Sequence, residues 1–166
     1  MARLDSRYGE WFSITALSYQ FRDLSTLRFD YDANWLNIEL QANFGRMKWS
    51  ADAPCLLTWE VSGMVTWIEA LAEGSLSTAD QWLAIEPCLS MEVGSVDSHP
   101  RELVVAFEQE YSPMWQGRYE DLKREETWWS PFRIRLFVTP GALTAFAAGL
   151  REDLERFPRR TAPPPK

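Results

Sequence analysis

Few residues in this 166-residue chain have the type and spacing that catalysis requires. His99 is the only histidine, and no serine lies in a Gly-x-Ser-x-Gly turn, so a serine–histidine–acid arrangement is not indicated. One histidine and two cysteines are too few for a common zinc site without several carboxylates. Neither common phosphate-binding loop, Gly-x-x-x-x-Gly-Lys-Ser/Thr or Gly-x-Gly-x-x-Gly, is present. We therefore expect no metal, no cofactor and an exposed loop position for His99.

Two carboxylates are the remaining candidates for chemistry. Glu108 and Glu110 are two residues apart, which on a strand places both side chains on one face. Such a pair can carry out general acid/base catalysis, but two solvated charges on a strand are equally ordinary. An enzyme with carboxylate chemistry is thus the least favoured function, and the prediction is that the protein is not an enzyme.

The two cysteines indicate no redox or metal chemistry. Cys55 and Cys88 are 33 residues apart and lack the Cys-x-x-Cys spacing. Because disulfides are rare in reducing compartments, we expect both to be reduced, buried thiols.

The charged residues point towards a partner. There are 24 acidic and 17 basic residues, a net charge of −7, which disfavours binding to a phosphate backbone. No Lys or Arg occurs from residue 49 to residue 100, although this stretch has eight carboxylates. One surface should therefore be strongly negative and attract a basic partner. The predicted partner-binding acids are Glu60, Glu69, Glu73, Asp80 and Glu86.

The length fits one domain, predicted as residues 1–158, followed by a Pro/Arg-rich tail at 159–166. No apolar run approaches the roughly 18 residues of a membrane span, and residues 1–5 contain no apolar signal segment. The expected location is the cytoplasm, with no membrane or nucleic acid as partner. The oligomeric state is left open.

Alternating apolar residues predict the strands that carry these side chains. Six strands are indicated, near residues 12–20, 34–44, 46–50, 89–93, 103–107 and 132–138. Two helices are predicted, at about 54–73 and 140–157. The first begins after Asp52-Ala53-Pro54 and ends at Glu73-Gly74, and its charged positions Glu60, Glu69 and Glu73 should face solvent. The fold class is α+β: an antiparallel sheet of about six strands with two helices packed on it.

Nine tryptophans invite comparison with a ligand cage, but core and rim packing explains most of them. Trp128 and Trp129 are the exception, because two adjacent side chains on an extended chain cannot both point inward. We predict them to be exposed aromatic contacts for the partner.

Several segments together resemble the WapI-like immunity proteins of bacterial toxin systems. They are YQFRD at 19–23, YDANWL at 31–36, PCLLTWEV at 54–61, EPCLS at 86–90 and LREDLERFP at 150–158. The run from Leu57 to Glu60 is the most specific of them, and the matches reach from residue 19 to residue 160.

This resemblance implies a cytoplasmic bacterial protein that binds and neutralises a cognate toxin domain, as in contact-dependent inhibition. The toxin implied is a basic nuclease, which agrees with the acidic stretch. Inhibition would be stoichiometric and need no catalytic residue. A regulatory or structural interaction domain unrelated to toxins is the alternative.

Overall fold

The computed structural model describes residues 1–22, 30–95, 99–113 and 131–160. The first half of the chain forms a four-stranded antiparallel sheet with the order β1-β2-β3-β4, here called sheet A. Its strands are β1 (Ala2–Asp5), β2 (Trp11–Tyr19), β3 (Trp35–Phe44) and β4 (Met47–Leu57). A short helix, α1 (Asp30–Asn34), leads directly into β3.

The second half forms another antiparallel sheet, sheet B, with the order β5-β6-β7-β8. Its strands are β5 (Gln81–Leu83), β6 (Leu89–Ser95), β7 (Arg101–Phe107) and β8 (Phe132–Val138). Helix α2 (Thr58–Glu73) connects the two sheets, and α3 (Pro140–Arg156) follows β8. A 3-10 turn at Gln109–Tyr111 follows β7.

The α+β class is confirmed, but the single six-stranded sheet is wrong. The described residues form two sheets of four strands each, and β1, β5 and α1 were not predicted. The physical reason is that β1, β5 and α1 have only three to five residues, too few to show a period. Alternation also reveals which residues face inward, without revealing which strands are hydrogen-bonded to each other.

The start of the first predicted helix is also wrong. Residues 52–57 belong to β4, and the helix begins at Thr58. Pro54 is tolerated in the strand because β4 is the edge of sheet A, and Pro54 lies at an irregularity in its pairing with β3. The helix ends as predicted, at Gly74, whose φ of 82° is the left-handed conformation that glycine adopts without strain.

Helix α3 agrees closely with its prediction. The Thr139 hydroxyl accepts a hydrogen bond from the Ala142 N–H at 3.2 Å, and Pro140 occupies the first turn. Leu143, Phe146 and Leu150 are fully buried along one stripe.

One continuous apolar core joins both sheets with α2 and α3. Aromatic rings make the contact between the sheets. The ring of Phe12 on β2 lies 6.2 Å from that of Phe107 on β7, and Trp49 on β4 makes edge contacts with Phe107 and Phe132 at 5.4 Å. Among the described residues, no helix is both long enough and apolar enough to cross a bilayer.

Candidate functional site

The first predicted partner-binding acid lies inside the protein. Glu60 is only 7% exposed, so the expectation that it faces solvent is wrong. Its Oε2 accepts the Leu57 N–H at 2.8 Å and its Oε1 accepts the Ile85 N–H at 2.6 Å. Helical spacing placed Glu60 off the apolar stripe, but the β5–β6 connection covers that side of the helix. Glu60 therefore ties the start of α2 to this connection.

Burial raises the pKa of Glu60 above its ordinary value, and the charge of nearby Glu86 acts in the same direction. The two backbone N–H groups oppose this shift because they stabilise the carboxylate. Glu60 is thus a buried structural acid that interacts electrostatically with the exposed Glu86.

The other predicted acids differ in their surroundings. Glu69 is half-buried and forms an ion pair with Arg151 of α3. Asp80 is half-buried and accepts the Ser77 N–H at 2.6 Å. Glu73 and Glu86 are exposed. The described carboxylates of the base-free stretch therefore do not all lie on one exposed face: Glu60 is buried, and the others are spread over two strands, α2 and two loops.

The predicted aromatic contacts, Trp128 and Trp129, lie outside the described residues. Trp49 and Trp82 are buried, in agreement with core packing. Trp59 is half-buried at the start of α2, and its ring meets that of Tyr31 edge-on at 5.1 Å.

The prediction of two reduced cysteines is wrong in the structure, where Cys55 and Cys88 form a disulfide. Cys55 lies near the end of β4, and Cys88 lies immediately before β6. Their Cα atoms are 6.5 Å apart, within the usual range for a bridge. The spacing of 33 residues gave no sign of this, because the contact arises from the packing of the two sheets.

The sequence candidates for chemistry do not form a reactive group. His99 is exposed, as expected. Glu108 and Glu110 do not share a strand face: β7 ends at Phe107, and the two carboxylates line different clefts. No group of three or more potential metal ligands occurs within the described ranges.

Within the described part of the chain, a cleft of about 360 Å³ lies where the edge of sheet A meets the loops of sheet B, and it is here called the junction cleft. Three carboxylates, two aromatic side chains and two amides contribute to its walls. The lining residues are Gln20, Phe21, Asp32, Trp35, Pro54, Glu86, Cys88, Gln109 and Glu110.

The junction cleft combines negative charge with accessible apolar surface. Asp32, Glu86 and Glu110 are exposed, and none of the described lining residues is basic. Phe21 is 41% exposed, and Ile85, next to Glu86 in the chain, is 59% exposed. Carboxylates at such a surface attract cations, and the exposed rings and aliphatic groups beside them can make apolar contacts.

Buried contacts hold the floor of the junction cleft. The disulfide fixes Cys88 to the β4 edge. Next to Glu110, Tyr111 is fully buried, and its hydroxyl lies 2.8 Å from the Ile38 carbonyl oxygen and 3.1 Å from that of Ala53. Burial raises the pKa of Tyr111, so the hydroxyl keeps its proton and remains a donor.

A group of contacts here called the C-terminal clamp holds one wall. Asn34 accepts the Arg160 N–H at 2.8 Å and donates to the Arg160 carbonyl at 2.9 Å. The Arg160 guanidinium lies 3.5 Å from the centre of the Tyr19 ring and donates to the Phe21 carbonyl at 2.9 Å. The neighbouring Arg159 lies over the Trp59 ring at 4.9 Å. Burial raises the pKa of Tyr19, while the charge of Arg160 acts in the opposite direction.

Sequence reasoning identified only Glu86 among the three cleft acids. Asp32 was missed, and Glu110 was considered only as an acid/base partner of Glu108, because α1 and the 3-10 turn bring these two acids to the cleft from distant parts of the chain. A usable signal was nevertheless present. Gln20, Phe21, Asp32, Trp35, Pro54, Glu86 and Cys88 all belong to the segments that carry the family resemblance. Four of those segments therefore meet at one cleft.

A second cleft, of about 210 Å³, lies on sheet B. It contains Glu92 and Glu108 together with Arg133, so its charge is mixed. The junction cleft is the stronger candidate for a cationic partner.

Comparison with known proteins identifies the family of this chain. The family model described as "Immunity protein WapI-like family" matches residues 3–158. No curated protein and no solved structure matches the chain.

Proposed function

The chain belongs to the WapI-like immunity protein family, and from this premise we propose that it binds and neutralises a cognate bacterial toxin domain, a basic nuclease, by stoichiometric protein–protein binding. The observation that carries the proposal is the family match across residues 3–158. The acidic junction cleft supports a basic partner.

In this mechanism the toxin is held and its substrate is excluded. A nuclease must attract polyanionic nucleic acid, so its active-site surface carries clustered positive charge. An acidic protein can cover such a surface, and its exposed carboxylates increase the rate of encounter. Buried aromatic anchors then slow dissociation. This mechanism requires neither catalysis by the immunity protein nor a cofactor.

Among the predicted partner-binding acids, Glu73 and Glu86 suit this steering role best because both are exposed. Glu69 and Asp80 are held by contacts within the protein and would contribute mainly through the long-range field. Glu60 contributes by positioning the β5–β6 connection, which includes Glu86. The proposed place of action is the cytoplasm, where a delivered nuclease meets RNA and where the Cys55–Cys88 disulfide is open to reduction.

Co-expression tests the proposal directly. A toxin C-terminal domain encoded beside this gene is expressed with and without the immunity protein, and growth and co-purification are measured. We expect restored growth and a complex of fixed stoichiometry. Growth arrest despite a well-expressed immunity protein, with no complex on size-exclusion chromatography, would contradict the proposal.

A further inference from the structure

Building on the proposed function, we propose that the junction cleft receives an arginine side chain of the partner. The occupant is a cationic, planar group that can face an aromatic ring and carboxylates at the same time. The proposal thus assigns a recognition site within the protein and a defined chemistry to the partner residue that enters it.

The chemistry of the residues that line the cleft matches this occupant. Carboxylates approach from three separate elements: Asp32 from α1, Glu86 from the β5–β6 connection and Glu110 from the 3-10 turn. Phe21 and Trp35 supply aromatic surface on the same walls. A guanidinium group can donate to a carboxylate in its plane while its face lies against a ring, a combination that an ammonium group cannot provide equally well.

An independent observation comes from the protein's own arginines. At this end of the molecule, Arg160 lies over Tyr19 and donates to the carbonyl of Phe21, a residue that also lines the junction cleft. Arg159 lies over Trp59 in a similar way. The surface beside the cleft thus already holds two guanidinium groups against ring faces, and one of them, that of Arg160, also donates to a carbonyl oxygen. We infer that the partner's arginine extends this arrangement into the cleft.

The competing explanation is that the acids attract the partner by long-range charge without forming a defined site. A cleft variant and a control variant of equal charge change distinguish this explanation from a defined arginine site. The cleft variant is Asp32→Asn/Glu86→Gln, and the control is Glu152→Gln/Glu155→Gln on exposed positions of α3. Both change the net charge by two units. If the cleft binds an arginine, the cleft variant should raise the dissociation rate of the toxin domain at least about tenfold. The control should change mainly the association rate, by less than about threefold. Equal effects of both pairs would overturn the proposal.

The aromatic wall is tested in the same way. Phe21→Ala removes ring surface at the cleft, whereas Leu17→Ala removes a side chain of similar exposure, 43% against 41%, from β2. We expect a severalfold faster dissociation for Phe21→Ala only. Thermal unfolding of each variant verifies that the fold is retained. Equal dissociation rates for the two variants would count against the aromatic contact.

A probe that does not depend on the toxin separates this proposal from the proposed function. A tetra-arginine peptide is titrated into the labelled protein, and the indole N–H signal of Trp35 is followed by NMR, with tetra-lysine as the comparison. A shift at Trp35 that tetra-arginine produces more strongly, and that Asp32→Asn/Glu86→Gln abolishes, supports the cleft even if no toxin is bound. If that shift is absent while the toxin domain still binds, the proposal that the cleft binds arginine is overturned and the proposed function is unaffected.

Discussion

At the scale of single residues, Glu60 shows how a charged side chain can be structural. It receives two backbone N–H groups, one from the residue that precedes α2 and one from the β5–β6 connection. A buried carboxylate satisfied in this way replaces water with fixed donors. The position of Glu86 on the cleft therefore depends on a side chain that does not itself reach the surface.

The raised pKa of Glu60 makes its contribution to stability depend on pH. The folded protein binds the proton more tightly than the unfolded chain does, so the contribution is complete below the ordinary pKa of 4.5. It is lost as pH rises through the higher folded pKa. We therefore expect the unfolding free energy of the wild type, measured relative to that of Glu60→Gln, to decrease as the pH rises from about 4 to about 7. Urea denaturation at several pH values measures this difference.

Glu152→Gln is the control for this experiment, because it changes the charge by the same amount at an exposed position of α3. A wild-type advantage that grows with pH in the Glu60→Gln comparison would show that the assigned direction of the pKa shift is wrong.

At the scale of elements, the C-terminal clamp joins the end of α3 to α1 and β2. Asn34 links three parts of the fold, since its side chain contacts Arg160 and also accepts the Thr58 hydroxyl at the start of α2. The C-terminal clamp stabilises the wall of the junction cleft that contains Phe21, because Arg160 donates to the Phe21 carbonyl. A segment remote in sequence thus positions a binding residue.

Truncation tests the clamp. Ending the chain after Pro158 removes the paired hydrogen bonds of Asn34 and both arginine–aromatic contacts. We expect a loss of about 3–4 kcal/mol in unfolding free energy, from about 1 kcal/mol for each of the two hydrogen bonds and about 0.5–1 kcal/mol for each of the two cation–π contacts. Chemical denaturation measures the loss.

The matched truncation ends after Arg160 and retains all of these contacts. It should remain within about 0.5 kcal/mol of the full chain. Equal stabilities for the two truncated chains would mean that the clamp contributes nothing to the fold.

At the scale of the whole molecule, the net charge of −7 should appear in the kinetics of association. Raising the ionic strength from about 0.02 to 0.15 M shortens the Debye length to about 8 Å and weakens long-range attraction. We expect the association rate with the toxin domain to fall several-fold, while the dissociation rate changes little. Stopped-flow measurements across this range provide the test. An association rate independent of salt would eliminate steering.

The parts of this fold that could be predicted are those determined by local chemistry. The alternation of Leu36, Ile38 and Leu40 identifies β3, and the Thr139-Pro140 cap with its apolar stripe identifies α3. The start of α2 was misplaced because Asp52-Ala53-Pro54 has the composition of a helix cap. An edge strand, which only the tertiary structure reveals, accommodates the same residues.

The site was less predictable because it is assembled from separated segments. Glu86 was predicted from the base-free acidic stretch. Asp32 and Glu110 lie outside that stretch, and they approach Glu86 only after both sheets have formed. The disulfide has the same origin, since no short spacing marks Cys55 and Cys88 as partners.

That disulfide closes a ring of polypeptide that contains the whole of α2 and β5. A protease that cuts once between residues 56 and 87 would open the ring but release no fragment, because both pieces remain joined through sulfur. The nicked and intact molecules would migrate as one species on a denaturing gel until a reducing agent is added. While the bridge is oxidised, the strand and the loop on either side of the junction cleft are thus protected from separation by a single break.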